Sequence, residues 1–198
     1  MRTLFEGNLG ISYRQFYISL HEDNVADDFD MDSYFVDQRN GLVGAAQDNF
    51  FFISAPWEVP VIRINVNLLD FPPDLDLNHD EIVEVSCIKG EDSWYLSQWG
   101  WEETHKLDIP NGSYRMRLSV AGYDLEYYDD TNEEPTPGQT YLFELWPAPK
   151  SLDQIVKQTS FQTKELHESL PITKDQNELK REEYFAAFND NDPWWKFW

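Results

Sequence analysis

Alternating aspartates are the residues of this sequence whose spacing best suits metal binding. The segment Asp74–Asp80 places carboxylate and amide side chains at every second position, as the start of an EF-hand calcium loop does. Such a loop also requires glycine at its sixth position and glutamate at its twelfth, where this sequence has His79 and Val85. We therefore interpret the segment as a solvated acidic loop, with weak calcium binding as an alternative, and Asp28–Asp32 in the same way.

Catalytic signatures are missing from the sequence. Its histidines, His21, His79, His105 and His167, are scattered, without the HxxxH spacing of a metal pair. It contains no GxSxG segment and no phosphate-binding glycine loop. Cys87 lies in the alternating stretch EIVEVSCI, which predicts a buried structural thiol rather than a nucleophile. We therefore predict a protein that is not an enzyme, with no catalytic residues, no metal and no cofactor.

The net charge of −22 lies mainly in the first three quarters of the chain. Residues 1–148 contain 28 acidic and 8 basic side chains, and residues 149–198 contain 9 and 7. Such a charge opposes direct binding to nucleic acid, because phosphates are repelled. It favours a basic protein partner, for example a protein that handles nucleic acid, although an acidic surface also simply aids solubility.

Three acidic loops and an aromatic terminus are the predicted partner-binding segments. The loops are residues 22–32, 70–81 and 124–134, and the terminus is NDNDPWWKFW. Tryptophan and phenylalanine at the terminus can fill a partner's pocket or fold back on the domain as a latch. The predicted contact residues are Asp27, Asp28, Asp30, Asp32, Asp74, Asp76, Asp129, Asp130, Glu133, Glu134, Trp194, Trp195, Phe197 and Trp198.

The elements that position these loops are predicted to be β-strands. The organising stretch is LDIPNGSYRMRLSV, in which Asn111-Gly112 is predicted to form a tight turn with positive φ. In the strand that follows, Tyr114 and every second residue are apolar, and Arg115 and every second residue are polar, which predicts a half-buried antiparallel strand. Roughly eight such runs, separated by turn signals, predict an all-β antiparallel sandwich.

Three further local predictions concern aromatic and small residues. Tyr34–Val36 is predicted as a short strand, and Gly41–Ala46 as a turn packed closely against another backbone. If Ser93–Trp101 is one regular strand, Trp99 and Trp101 share a face and Trp94 takes the opposite face. One of these faces is expected in the core, and the other as an aromatic patch suited to protein contact or sugar stacking.

Composition changes after Pro149, which predicts a boundary between a sandwich domain, residues 1–149, and a C-terminal extension, residues 150–198. We expect this extension to be partly helical or disordered. Ser151–Gln158 is predicted as a short helix or an edge segment, and Thr163–Asn177 as a polar linker. Thr173–Phe188 has the capping signal of a helix.

The lone cysteine and the absence of apolar runs suggest a cytoplasmic protein. One cysteine excludes an internal disulfide, no apolar region follows Arg2 as in a signal peptide, and no run approaches the roughly 18 apolar residues of a membrane span.

Three segments of the chain resemble the competence protein J family. They are Leu9–Phe16 (LGISYRQF), Leu107–Tyr114 (LDIPNGSY) and Tyr141–Ala148 (YLFELWPA), within a resemblance that covers about residues 9–160. The best-known members are small acidic inhibitors of a bacterial DNA-uptake nuclease. The resemblance implies an all-β protein that binds and silences a nuclease. The long acidic insertions and a tail of about 40 residues depart from the short members, so the target can differ.

These observations lead to one principal hypothesis and two alternatives. The principal one is an acidic, non-catalytic inhibitor or immunity-type protein that binds a nuclease or another basic nucleic-acid-handling protein. The first alternative is an adaptor that recruits a protein through the aromatic tail. The second is a calcium- or carbohydrate-binding sandwich module, using Asp74–Asp80 or the face of Trp99 and Trp101.

Overall fold

Strands dominate the computed structural model, which describes residues 1–20, 30–47, 50–56, 59–125 and 137–170. Within these residues the chain forms eleven strands, two short 3-10 helices and one α-helix. The strands are β1 (Arg2–Gly10), β2 (Gln15–Ser19), β3 (Val43–Gly44), β4 (Phe50–Ser54), β5 (Val61–Leu68), β6 (Glu81–Lys89), β7 (Trp94–Gln98), β8 (Thr104–Leu107), β9 (Gly112–Ala121), β10 (Thr140–Pro147) and β11 (Gln154–Lys157). The 3-10 helices are Met31–Phe35 and Trp99–Trp101, and the α-helix is α1 (Phe161–Glu168).

The described strands form two sheets, so the predicted all-β sandwich is confirmed. The six-stranded sheet has the order β1-β5-β10-β9-β6-β11, and the five-stranded sheet has the order β3-β4-β2-β7-β8. Pairing is antiparallel except between β5 and β10, which run parallel. The core between the sheets contains Ile62, Ile64 and Val66 of β5, as their alternation with polar residues predicts. Within the described residues, no helix has the length and apolar character needed to span a membrane.

The stretch LDIPNG connects the two sheets and does not close a hairpin. Leu107 ends β8 in the five-stranded sheet, and Gly112 begins β9 in the six-stranded sheet. The predicted positive φ at Gly112 is wrong, because the described glycines with positive φ are Gly100 and Gly122. Leu107 and Ile109 are both buried in the core, so the segment crosses from one sheet to the other over its own apolar side chains.

Strand β9 is buried on both faces, so the prediction of a half-buried strand is also wrong. Arg115, Arg117 and Ser119 are at most 7% exposed, although they point away from the core. Arg115 and Arg117 are covered by two connections far away in sequence, residues 148–153 and residues 70–80 respectively. An alternating pattern reports which residues face the core, but it cannot report what covers the other face.

Several short elements differ from their predictions. Tyr34 and Phe35 lie in a 3-10 helix rather than a strand. Strand β1, which the sequence did not predict, is an edge strand with few buried side chains and therefore has a weak apolar pattern. The Trp94 strand ends at Gln98, because Gly100 has a φ of 79° and Trp101 a φ of 55°.

The small segment Gly41–Ala46 packs against another backbone, as predicted. A Cβ atom on Gly41 would lie 2.5 Å from the carbonyl carbon of Leu166 in α1, which no side chain can accommodate. Ser151–Gln158 contains the edge strand β11, and α1 covers the first residues of the predicted linker. The proposed boundary at residue 149 stays a prediction, as does the helix over Thr173–Phe188, which lies outside the described residues.

Candidate partner-binding surface

The acidic loop 70–80 crosses the outer face of the six-stranded sheet from one end to the other. At its start, the amide of Leu69 donates to the carbonyl of Leu145, at 2.7 Å, and at its end the amide of Asp80 donates to the carbonyl of Val120, at 2.8 Å. In the antiparallel pair β9–β10, Leu145 lies opposite Met116 and Val120 lies opposite Tyr141, so the two anchor points are at opposite ends of the pair. The loop therefore covers the strands between them.

Two cations hold the backbone of this loop. The Nη1 atom of Arg117, on β9, donates to the carbonyl oxygens of Pro73 and Asp74, both at 3.2 Å. The Nζ atom of Lys157, on β11, donates to the carbonyl oxygens of Leu77 and His79, at 2.9 and 2.6 Å. Because the cations bind main-chain oxygens, they do not neutralise the carboxylates of the loop directly.

Beneath the loop lies a buried ion cluster. The carboxylate of Glu84, on β6, accepts from Nε of Arg115 at 3.0 Å and from Nε of Arg117 at 2.9 Å. The guanidinium of Arg117 also lies 5.3 Å from the ring centroid of Trp146, within the range of a cation–π contact. Burial raises the pKa of neighbouring Glu144, and electrostatic interactions, first with Arg117 and then with His79, oppose that rise.

A second connection, strap 148–153, completes the cover. The amide of Ala148 donates to the carbonyl of Ser113 at 3.1 Å. The Nη1 atom of Arg115 donates to the carbonyl of Leu152 at 2.8 Å and to Oγ of Ser86 at 3.2 Å. The two arginines that alternate with apolar residues on β9 thus each hold a different connection against the sheet.

Loop 70–80 presents acidic and apolar side chains together. Asp74 and Asp76 are exposed, and Asp76 orders the turn through Oδ1, which accepts from the amide and Nδ2 of Asn78 at 3.0 and 2.7 Å. Between and beside these acids, Phe71, Leu75 and Leu77 are 78%, 45% and 57% exposed. Apolar side chains next to exposed carboxylates match the composition of a surface that binds a basic protein.

The remaining predicted contact residues have different positions. Asp30 caps the 3-10 helix Met31–Phe35 by accepting from the amide of Asp32 at 3.2 Å, and Asp32 is exposed. Their neighbours Asp27 and Asp28 lie outside the described residues, as do the following predicted contacts: Asp129, Asp130, Glu133, Glu134, Trp194, Trp195, Phe197 and Trp198.

The described residues next to the three acidic loops show from which end of the sandwich each loop starts. Gly122, which precedes the third loop, donates its amide to Oδ2 of Asp80 at 2.5 Å, so the second and third loops meet there. Strand β2 begins at the same end of the sandwich as Asp80 and Gly122. It follows Gly10, the last residue of β1, and Gly10 pairs with Val61, the first residue of β5. The first loop follows the far end of β2, after Ser19, and therefore starts from the opposite end of the sandwich.

The tryptophans of WGW do not form one patch. The ring of Trp101 stacks on Tyr17 with centroids 4.9 Å apart, and the ring of Trp99 contacts exposed Tyr13 at 4.4 Å. Trp94 is fully buried in the core. The predicted shared face of Trp99 and Trp101 is wrong, because it assumed a regular strand and the strand ends before them.

Among the described residues, no three histidine, cysteine, aspartate or glutamate side chains are grouped to hold a metal ion. Cys87 is buried as predicted, and burial raises the pKa of its thiol to about 12. The cations that organise the surface, Arg117 and Lys157, were missed because the sequence does not show which carbonyl oxygens a cation will meet.

Comparison with solved structures gives two similar folds. ComJ from Bacillus subtilis, described as an inhibitor of the DNA-degrading activity of NucA, has 16% identity and a TM-score of 0.52, over 74% of this chain and 98% of ComJ. The protein of crocagin biosynthetic gene J has 16% identity and a TM-score of 0.44, over 73% of this chain and 96% of its own. No family model matches the chain, and no curated protein matches it either. The resemblance to the competence protein J family that the sequence indicates is thus shown at the level of the fold.

Proposed function

We propose that this protein is a non-catalytic inhibitor or immunity-type protein that binds a basic nucleic-acid-handling protein, such as a nuclease. The observation that carries the proposal is the anchoring of loop 70–80 by Arg117 and Lys157, which fixes the loop backbone and leaves the carboxylates of Asp74 and Asp76 exposed to solvent. The fold it shares with ComJ supplies the class of partner. A cytoplasmic site of action, inferred from the lone cysteine, belongs to the same proposal.

An acidic loop with a fixed backbone is well suited to bind in a cleft that normally binds phosphates. The net charge of −22 attracts a basic partner from a distance, which speeds encounter and weakens with salt. Because the loop is already ordered by its anchors, little conformational entropy is lost when its carboxylates meet the partner's cations. The exposed side chains of Phe71, Leu75 and Leu77 supply the apolar contact area that charge alone does not provide.

The test is inhibition of DNA degradation by purified nucleases, starting with NucA and continuing with other basic nucleases. With this protein in excess over the nuclease, we expect DNA degradation to be inhibited at low salt. The affinity of the complex should fall as the salt concentration rises. The double variant Asp74→Lys/Asp76→Lys should weaken inhibition roughly a hundredfold, because close charge pairs in interfaces are coupled by about 1.5–7 kcal/mol. Both side chains are exposed, so the fold should persist.

The matched control is Glu91→Lys/Asp92→Lys, which makes the same change in net charge at the exposed turn between β6 and β7. We expect this control to weaken inhibition only a few-fold, through reduced long-range attraction. Equal losses in the two variants would show that only total charge matters and would contradict a site at loop 70–80. Absence of inhibition across the panel would contradict the nuclease as partner.

A further inference from the structure

The free edge of strand β11 differs from the other long edge of the sandwich. On the far side, β1 and β8 are tied together, since Arg2 bonds Asp108 and the rings of Phe5 and His105 lie 4.4 Å apart. Strand β11 ends the six-stranded sheet and pairs only with β6 among the described strands. An edge strand leaves every second pair of backbone N–H and C=O groups unpaired, which is the template for adding a further strand.

Two grooves run beside this edge and meet at Asp153. One, of about 500 Å³, is lined by Arg39 and by residues 153–156. The other, of about 490 Å³, lies between strap 148–153 and the segment around the first 3-10 helix, and its charged lining residues are Asp37, Lys150 and Asp153. The edge is therefore open to solvent, with room for a polypeptide segment alongside it.

Unpaired positive charge collects at these grooves. Among the described lysines and arginines, the side chains of Arg39, Lys106 and Lys150 have no ion pair or hydrogen bond to another described residue. Two of these three line the grooves, in a protein whose net charge is −22. Of the two acids that line these grooves, Asp37 and Asp153, the second is already satisfied, because its Oδ2 accepts from the amides of Arg39 and Asn40, both at 2.7 Å, and from Nδ2 of Asn40.

We propose that the β11 edge is a second binding site, which accepts an extended acidic segment of a partner protein as an added strand. The segment's backbone pairs with Gln154–Lys157, and its carboxylates meet Arg39 and Lys150. The exposed side chain of Ile155 provides an apolar contact for alternate residues of the segment. This site is separate from loop 70–80 in its chemistry, since it binds acidic rather than basic groups.

The test uses a peptide that carries fluorescein on its N-terminus, fluorescein-EVEVEVEV-amide, and fluorescence anisotropy with the full chain at about 0.15 M salt, where the Debye length is about 8 Å. The general acidity of the protein repels this peptide, so binding requires a local cationic site. Arg39→Glu should weaken peptide binding at least fivefold. Arg39→Gln should weaken it by about the square root of that factor. The matched control is Lys106→Glu, because Lys106 is an exposed, unpaired cation on β8 at the other edge of the sandwich.

Lys106→Glu should change the affinity less than twofold, and all variants should keep the melting temperature of the parent protein. A peptide of equal charge with two valines replaced by proline should bind at least tenfold more weakly, because proline cannot donate to a strand ladder. Slower amide hydrogen exchange at residues 154–157 should accompany binding. Failure of the peptide to bind, equal effects of Arg39→Glu and Lys106→Glu, or equal binding of the proline peptide would each overturn the proposal.

Discussion

The outer faces of the two sheets are both covered, but by different chemistry. On the six-stranded sheet the cover is polar, with Arg115 and Arg117 held by Glu84 and donating to backbone carbonyls of the connections above them. On the five-stranded sheet the cover is aromatic. Its cluster consists of Tyr17, Tyr34, Phe35, Phe50 and Phe52, with Trp101 and Leu170 packed against it.

This difference shows that one sandwich can hold the segments over its two outer faces by two different kinds of interaction. Hydrophobic burial is non-directional, so the aromatic cover holds the 3-10 helix Met31–Phe35 mainly by contact area. Charged hydrogen bonds have directions, so they hold loop 70–80 at defined carbonyl oxygens and leave its carboxylates outside. The surface with the stricter geometry is the one that we propose to bind a partner.

The strongest way to break the polar cover is to remove its central carboxylate. Glu84→Ala leaves Arg115 and Arg117 buried without their shared anion, and we expect the free energy of unfolding to fall by about 3–5 kcal/mol. Urea denaturation measures this change. The control Glu6→Ala breaks an exposed pair with Arg63 and should cost less than about 1 kcal/mol. Similar losses in both variants would show that burial of the Glu84 cluster contributes little.

Breaking the aromatic cover should have a slightly smaller effect that does not involve charge. Phe52→Ala removes a ring that contacts Tyr17, Tyr34 and Phe35, and we expect a loss of about 3 kcal/mol. This variant should retain full nuclease inhibition when folded, because loop 70–80 is untouched. A loss of inhibition at a protein concentration and temperature where the variant is folded would place the aromatic face in the binding surface.

The anchoring of loop 70–80 can be weakened without disrupting the buried ion cluster around Glu84. Lys157→Met deletes the bonds to Leu77 and His79, and we expect a loss of about 1–2 kcal/mol together with faster amide exchange in loop 70–80. Inhibition should weaken although no contact residue has changed. The control Lys164→Met removes an exposed ion pair with Glu168 in α1, and it should alter neither amide exchange in loop 70–80 nor inhibition. Unchanged exchange in the Lys157 variant would contradict the role of the anchor.

The smallest expected effect is a pH dependence near the aromatic cover. The amide of Gly41 donates to Nδ1 of His167 at 2.8 Å, and burial lowers the pKa of this imidazole, against the opposing charge of Asp153. Because the pKa is lower in the folded state, the unfolded chain binds more protons as the pH falls below about 6.5, and stability is lost there. Stability is retained above that pH.

Urea denaturation at pH 5.5 and 7.5 measures the effect. His167→Gln should reduce the difference between the two pH values, because it removes the buried imidazole whose pKa is lowered. An unaltered pH difference in the His167 variant would show that other groups cause it.

The sequence by itself determined the strands that have a buried apolar face. Strand β5 and the core-facing residues of β9 follow their alternation, because every second side chain must leave water whichever sheet the strand joins. Composition showed the acidic character of loop 70–80, and alternation predicted the buried thiol of Cys87. The resemblance to the competence protein J family came from three matching segments, and it is shown at the level of the fold.

Only the tertiary structure decided what covers each sheet and which residues hold the candidate surface. Arg117 and Lys157 are far from loop 70–80 in sequence, and they meet its carbonyl oxygens because β9 and β11 belong to the sheet that the loop crosses. The same holds for the end of the Trp94 strand at Gln98 and for the ends of the sandwich from which the acidic loops start. Local pattern determines which side chains are buried, whereas hydrogen-bond partners depend on which distant segments the fold brings together.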